Sequence, residues 1–370
     1  SSIHFMATIK NIIDILDQWA PPAYAEDFDN VGLLIGEAKN ECSGILVSLD
    51  CIEKVVDEAI KSKCNLIVCF HPIVFSGLKK ITGKDYVERV VLKAIRNQIA
   101  IFALHTRLDN HPEGVNKVLA DQLGLQESKV LIPKPSGIKK LSTYVPKENA
   151  EKVLEALHQA GAGSIGNYSN CSFTLEGTGQ FKGNEHSEPH LGKPLQKMQV
   201  NEVQIQVVFE SHLIHAVQNS LLKAHPYENV AYEIFSLDNT LTSVGMGRIG
   251  TLEESMQEAE FLTYVKNKLS TGAIRHSPFV GKKIKKVAVL GGSGSFAIPS
   301  ARQQNADAFI TADLKYHQFY QGESDLILID VGHYESEQFT KNLIFDYLTK
   351  KMPNFAIVLS RTKTNPVNYF

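Results

Sequence analysis

The spacing of apolar residues predicts alternating helices and strands in the first third of the chain. Apolar positions at helical spacing predict a helix over 9–19, which Pro21 and Pro22 end. Further helices are predicted over 53–61, 86–97 and 115–123, and short apolar runs predict strands over 44–49, 66–70 and 99–104. This alternation predicts a mainly parallel sheet with right-handed crossovers.

The middle third follows a different order. A segment rich in turn-forming residues, 133–137, separates it from the first third. Strands are predicted over 140–144, around 171–174, over 203–208 and over 230–235, with helices over 150–160 and 213–224 and a hairpin stretch rich in Gly, His and Pro over 177–194. The order β-α-β-β-α-β is that of the ferredoxin-like split motif.

The last third returns to the first pattern. Strands are predicted over 286–290, 308–310, 326–329 and 354–359, and a helix over 334–348. The predicted fold class is therefore α/β, with mainly parallel sheets flanked by helices and interrupted by a ferredoxin-like α+β inserted domain. The predicted boundaries are 6–135, 138–250 and 251–370, with Met6 expected as the natural start and residues 1–5 as a preparation remnant.

Composition narrows the possible partners. The net charge of −2 over 370 residues makes nucleic-acid binding by bulk electrostatics an unlikely function. The five cysteines form no C-x-x-C pair, which indicates a reduced, cytoplasmic setting. No apolar run approaches the eighteen or so residues that a membrane span requires, so no membrane association is predicted.

Three histidines follow predicted strands and suggest a metal site. His71, His105 and His333 each come just after an apolar run, and ligand sites in parallel sheets lie beyond the carboxyl ends of the strands. His333 and Glu337 are four positions apart at a helix start, so they lie on one face, although such a pair can also be a plain surface contact. Together with Asp109, these histidines and Glu337 provide the imidazole and carboxylate ligands that are typical of a divalent Zn, Fe, Mn or Ni site.

Two other segments remain open from the pattern alone. The run Gly291-Gly-Ser-Gly294 follows a strand and is either a phosphate-binding loop or a tight turn. Asp313, Lys315 and His317 follow another short strand and are candidates to line the same crevice, with His317 a candidate to contact substrate or metal-bound water.

Together these motifs resemble the NIF-three-like dinuclear metal proteins, known as GTP cyclohydrolase 1 type 2 homologues. The resemblance rests on 28–36, 71–75, 105–109, 291–294 and 332–337, and the middle segment is similar to the PII/CutA-like insertion of longer members. It implies a homohexamer, as a trimer of dimers or a dimer of trimers, with metals facing an interior cavity. It implies His71, Asp109, His333 and Glu337 as ligands, with Glu337 bridging and His105 beside the metals.

Phe70 departs from the family pattern, which has His-His-Pro where this chain has Phe70-His71-Pro72. Phenylalanine offers no donor atom, so we expect one tight ion and a second that is weak or absent. Cys69 is a conceivable substitute ligand, but strand alternation directs it to the opposite face. Arg107 also departs from the family pattern and would either bind an anionic substrate or cover the surface.

These observations favour a metal-dependent hydrolase acting on a small nucleotide-like or phosphorylated substrate, with His105 or His317 moving the proton. The alternative is a non-enzymatic metal-binding or regulatory hexamer, in which the insertion senses a ligand. The substrate itself is not indicated by the sequence.

Overall fold

The computed structural model describes residues 6–370, and residues 1–5, expected to be a remnant, lie outside the described part. The chain divides into two compact units, one formed by 6–133 with 243–370 and the other by 134–242. The sequence analysis placed the inserted segment at 138–250. No helix within residues 6–370 has both the length and the apolar character needed to cross a membrane.

The first segment of the discontinuous unit alternates helices and strands. In chain order its elements are α1 Ile9–Trp19, β1 Gly32–Ile35, β2 Ile45–Ser48, α2 Glu53–Lys61, β3 Leu66–Cys69, α3 Tyr86–Arg96, β4 Ala100–Ala103, α4 Thr106–Asp109, α5 Val115–Gln122 and β5 Gln126–Lys134. The Thr8 side chain accepts from the backbone N–H of Asn11 and so caps α1. Strands β2, β3 and β4 are buried along their whole length, as expected for a sheet covered on both faces.

The 134–242 unit has the element order β-α-β-β-α-β. Its elements are β6 Ile138–Pro146, α6 Ala150–Gln159, β7 Phe173–Lys182, β8 Lys197–Glu210, α7 Ile214–Ala224 and β9 Tyr232–Leu237. The strands form an antiparallel sheet in the order β7-β8-β6-β9. Apolar residues of α6 and α7, including Val153 and Leu221, form its core with one face of the sheet.

The last segment completes the discontinuous unit. Its elements are β10 Leu241–Met256, α8 Glu258–Leu269, β11 Arg275–His276, β12 Ile284–Ser293, α9 Ile298–Gln303, β13 Ala308–Ala312, β14 Ile327–Asp330, α10 His333–Glu337, α11 Thr340–Lys351 and β15 Ile357–Leu359. The helix predicted over 334–348 is therefore two helices. Gln338 lies between them, and its side-chain amide donates to the carbonyl oxygens of Leu269 and Glu335.

Two mixed sheets form the centre of this unit. The N-terminal sheet has the order β1-β4-β3-β2-β15, and all its pairs are parallel except β1 with β4. The C-terminal sheet has the order β11-β14-β13-β12-β10-β5, with β12, β13 and β14 parallel and antiparallel pairs at β11 and β10. Helices α1 and α11 cover one face of the N-terminal sheet, and α2 and α3 cover the other. The mixed α/β class with helix-covered sheets is confirmed.

Candidate metal centre

The strand ends of the two sheets bring three predicted ligands together. His71 lies two residues beyond the end of β3, and His333 begins α10, three residues beyond the end of β14. Ligand atoms of His71, His333 and Glu337 all lie within 4.8 Å of one another. The two imidazole rings have centroids 5.3 Å apart. The structure thus assembles a His/Glu cluster with the donor types that bind divalent transition metals.

Glu337 lies between the two imidazoles. Its Oε1 is 2.6 Å from Nε2 of His333, and its Oε2 is 3.2 Å from Nε2 of His71. The Glu337 side chain is only 4% exposed. The four-residue spacing of His333 and Glu337 on α10 produces the first contact, as the sequence predicts.

Each cluster histidine is oriented by an aspartate on its other ring nitrogen. The Nδ1 of His71 lies 2.7 Å from Asp50, and the Nδ1 of His333 lies 2.6 Å from Asp313. Because an ionised carboxylate only accepts hydrogen bonds, each Nδ1 carries a proton, and each Nε2 faces the Glu337 carboxylate. Carboxylate–histidine pairs of this kind fix the tautomer and orientation of metal-binding imidazoles.

The charges of the cluster favour a cation at its centre. Burial disfavours the charged imidazole of His71 and lowers its pKa, but Glu337 and Asp50 outweigh this effect and raise the pKa to about 10. Burial also lowers the pKa of His333, but Asp313 and Glu337 outweigh this effect and raise that pKa to about 10. Burial would raise the pKa of Glu337, yet the two imidazoles lower it to about 2. A divalent ion would supply the positive charge that these carboxylates stabilise.

Asp109 lies at the C-terminal end of α4, within electrostatic range of this cluster. Its burial, followed by the charge of Glu337, holds the pKa of its carboxyl well above the usual range, and His71 and His333 act in the opposite direction. The cluster within 4.8 Å comprises His71, His333 and Glu337. The role of Asp109 as a fourth ligand stays a prediction.

His105 lies beside the cluster on an uncommon backbone. Its φ of 35° is in the region that non-glycine residues rarely adopt, and its Nδ1 is 2.9 Å from Asp29. Its ring is 5.6 Å from that of His71. Asp29 also accepts from the hydroxyl and backbone N–H of Thr106, which stabilises this turn.

Phe70 occupies a fully buried position next to both histidines. Its ring centroid is 4.9 Å from His71 and 5.5 Å from His105, and it belongs to the core between the N-terminal sheet and α1. Cys69 packs into the core on the opposite face, and burial raises the pKa of its thiol well above the usual value. A thiolate ligand at Cys69 is therefore disfavoured by both geometry and charge.

The glycine-rich run is part of the cluster's wall. Gly292 has a φ of +77°, and a Cβ there would lie 2.4 Å from Oε1 of Glu337. The backbone N–H groups of Gly291 and Gly292 donate to Asn116 and Ser336. The backbone N–H groups of Gly291 and Gly292 are therefore not available to a phosphate. The tight-turn interpretation is incomplete because β12 continues to Ser293.

Two further sequence candidates lie elsewhere. His317 is exposed, and its ring packs against Tyr316 and Tyr320. Arg107 is 5% exposed and donates to Asp17 at 2.7 Å, so it neither faces a substrate nor covers the surface. Both sequence interpretations of Arg107 are therefore wrong.

Sequence reasoning missed the partners of the histidines. Asp50 and Asp29 were not singled out, and Asp313 was considered only as a crevice residue. Asp50 follows β2, the parallel neighbour of β3, so its position beyond a strand end was the available signal. Asp29 belongs to no strand, so the only indication of its importance in the sequence was its place in the 28–36 motif.

A cleft of about 560 Å³ opens beside the cluster. His71, His333, Asp50 and Asp313 line one side, and Arg275, Tyr369 and neighbouring C-terminal residues also line it. Pockets of this size accommodate small molecules.

The profile of the family described as Duf34/NIF3 (NGG1p interacting factor 3) matches residues 7–366. The chain belongs to the NIF3 family. A relative from Bacillus subtilis, called a GTP cyclohydrolase 1 type 2 homolog, is 39% identical over 97% of this chain and 98% of its own length. One from Staphylococcus epidermidis with the same name is 35% identical over 98% of this chain and 99% of its own length.

Solved NIF3 relatives share the fold. A Bacillus cereus protein related to NIF3 superposes with a TM-score of 0.89 at 36% identity, covering 99% of this chain and 100% of that one. The Staphylococcus aureus protein SA1388 superposes with a TM-score of 0.77 at 29% identity, covering 99% of both chains. Membership of the NIF3 family, inferred from the motifs, is confirmed.

Proposed function

We propose that this protein is a metal-dependent hydrolase whose ion is held by His71, His333 and Glu337, with Asp109 as a fourth ligand. One observation carries the metal assignment. Nε2 of His71 and Oε2 of Glu337 are both buried and lie 3.2 Å apart, and neither makes a hydrogen bond of acceptable geometry to the other or to any other described residue. Buried polar atoms are rarely left without a partner. A divalent ion between them would satisfy both, so the residues present fit a metal.

The ion would supply Lewis acidity, which polarises a scissile group and makes water a stronger acid. His105 is the residue we assign to proton transfer, because its Nδ1 contacts Asp29 and its ring borders His71. An imidazole whose Nδ1 is held by a carboxylate in this way can exchange a proton through its other ring nitrogen. His317 is a weaker candidate because its described contacts are with two tyrosines at the surface.

The cleft supports a small substrate with a negatively charged group. The positively charged side chain of Arg275 lines the cleft and is 59% exposed. It also forms an ion pair with Asp330. Asp50 and Asp313 are engaged by the two histidines. A phosphorylated or nucleotide-like substrate would therefore meet Arg275 and the ion rather than free carboxylates.

Phe70 supports the proposal that one ion is tight and a second is weak or absent. The ring lies beside His71 and His105 and provides no donor atom. Metal analysis of the purified protein should give one tightly held ion per chain. Phe70→His should raise this toward two, whereas Phe70→Leu, which keeps the position apolar, should not. Two tight ions in the unaltered protein would contradict the proposal.

Turnover is tested with the metal-loaded protein on a panel of nucleotides and phosphoesters, with Glu337→Gln as the control without a functional site. Hydrolysis that disappears with Glu337→Gln supports the enzyme. Absence of turnover across the panel favours the second candidate, a non-enzymatic metal-binding or regulatory hexamer, which the missing donor at Phe70 also favours.

Light scattering of the purified protein measures how many chains the assembly contains and so tests the proposed hexamer directly. The cytoplasmic location stays a prediction.

A further inference from the structure

A second cavity lies within the 134–242 unit, and its lining includes four aromatic rings and two acidic side chains. Its volume is about 390 Å³, in the range of small-molecule pockets. Tyr144, Phe181, His190 and Tyr227 contribute rings to its lining. We name it the Tyr227 cavity because two of the other rings lie near that residue, with centroids 5.7 Å away for Phe181 and 6.2 Å away for His190.

Tyr227 is held in place by a buried histidine. His225 is 6% exposed, its Nε2 donates to the carbonyl of Tyr144 at 2.7 Å, and its Nδ1 accepts from the backbone N–H of Tyr227. Burial lowers the pKa of His225, so the ring is neutral at physiological pH. His225 is therefore a support for the cavity and brings no positive charge to it.

A carboxylate fits against the cavity floor because one residue there has no side chain. A Cβ on Gly179 of β7 would lie 1.4 Å from Oε1 of Glu202 on β8, so any other residue would displace this carboxylate. Gly179 and Glu202 both line the cavity. The strands thus place the Glu202 carboxylate in the lining of the same cavity as the aromatic rings.

The Tyr227 hydroxyl is buried beside the Glu202 carboxylate, which acts on it through its charge and through a hydrogen bond. Burial, followed by the nearby charge of Glu202, raises the pKa of this phenol, which therefore stays protonated. Glu228 accepts from the backbone N–H of Glu188 at 2.9 Å and so holds the 183–196 loop at the cavity.

We propose that the Tyr227 cavity binds a small organic ammonium cation. The faces of aromatic rings are electrostatically negative, and a cation within about 6 Å of a ring centroid is attracted to them. Glu202 adds a full negative charge at the same place, which would repel an anionic ligand. Lys182 also lines the cavity, but its side chain is exposed. This site is separate from the metal centre and does not depend on its function.

The test is a proton NMR titration of the full chain with choline chloride at constant ionic strength. The neutral carbon isostere 3,3-dimethylbutan-1-ol is titrated in parallel. Ring currents from the aromatic lining should move the N-methyl resonance upfield in a saturable way, while the alcohol shows no saturable shift. Equal binding of the alcohol would overturn the proposal, because the cavity would then recognise shape rather than charge.

Variants separate the charge from the fold. Glu202→Gln should weaken choline binding about tenfold or more, a cost typical of one ion pair at moderate depth. Glu176→Gln, which removes an exposed carboxylate paired with Lys147 outside the cavity, is the matched control and should bind normally. Lys182→Ala should bind choline at least as tightly as the unaltered chain. Unchanged binding by Glu202→Gln, with a normal melting temperature, would refute the proposal.

Discussion

The two sheets of the discontinuous unit each place a histidine at the cluster in the same way. In the N-terminal sheet, His71 follows β3 and contacts Asp50, which follows the parallel neighbour β2. In the C-terminal sheet, His333 follows β14 and contacts Asp313, which follows the parallel neighbour β13. Both pairs use one strand end for the imidazole and the adjacent strand end for its aspartate.

The two sheets differ in what surrounds these pairs. The C-terminal side adds Glu337, the carboxylate between the imidazoles, and Gly292, whose missing side chain leaves room for it. The N-terminal side adds the apolar ring of Phe70 and a third histidine, His105. Equivalent histidine–aspartate pairs therefore do not make equivalent halves. The central carboxylate comes from one sheet, and the aromatic wall from the other.

The largest expected effect comes from removing that central carboxylate. Glu337→Gln should weaken metal binding by more than the ~10–100-fold typical of changes behind the ligands, since Glu337 contacts both imidazoles. Competition with a chelator measures the affinity. Glu335→Gln is the matched control: this glutamate is also buried on α10 but contacts Asn365. Similar losses in both variants would show that disturbance of α10, not the ligand, is responsible.

The two aspartates test whether the histidine pairs are equivalent. Asp50→Asn and Asp313→Asn should each reduce metal affinity by about 10–100-fold, because an amide can present the wrong hydrogen-bonding group to Nδ1. The same chelator assay applies, with circular dichroism to verify the fold. If only one variant loses affinity, the ion depends on one sheet, and the symmetry of the pairs has no functional meaning.

The smallest losses of metal affinity are expected from the two hydroxyl groups that donate hydrogen bonds to these aspartates. Ser293 donates to Asp313 at 2.5 Å, and Thr364 donates to Asp50 at 2.7 Å. Ser293→Ala and Thr364→Val each remove a single neutral donor, for which losses of roughly 0.5–1.5 kcal/mol are usual, or about twofold to tenfold in affinity. A loss as large as that of the aspartate variants would mean that these hydroxyls determine the aspartate position.

Local patterns were sufficient to predict most of the fold. The predicted helix over 53–61 has the observed bounds of α2, and the three early strands end within a residue or two of β2, β3 and β4. Each has a period or an apolar run that depends on nearby residues alone. The break between α10 and α11 was missed because neither Pro nor Gly marks it. It coincides with the contact of Gln338 to Leu269, 69 residues away.

The same distinction applies to the candidate metal centre. His71, His333 and Glu337 could be proposed from strand ends and helical spacing, and the structure brings them together. Asp29 could not be assigned to His105, because the two are 76 positions apart and only the fold brings them together. Gly292 was misinterpreted for a related reason. Position 292 must be glycine because a side chain there would clash with Glu337, which belongs to another element.

The aspartate contacts have a consequence for the kinetics of metal loading. Each imidazole is held on its Nδ1 side, and Glu337 is packed against Gly292, so the ligand side chains lose their rotational freedom when the chain folds. That entropy is then not lost again on binding, where immobilising each side chain otherwise costs roughly 0.5–1.5 kcal/mol. We expect an ion to enter a preorganised set of donors, with exchange governed by dehydration of the ion rather than by rearrangement of the protein.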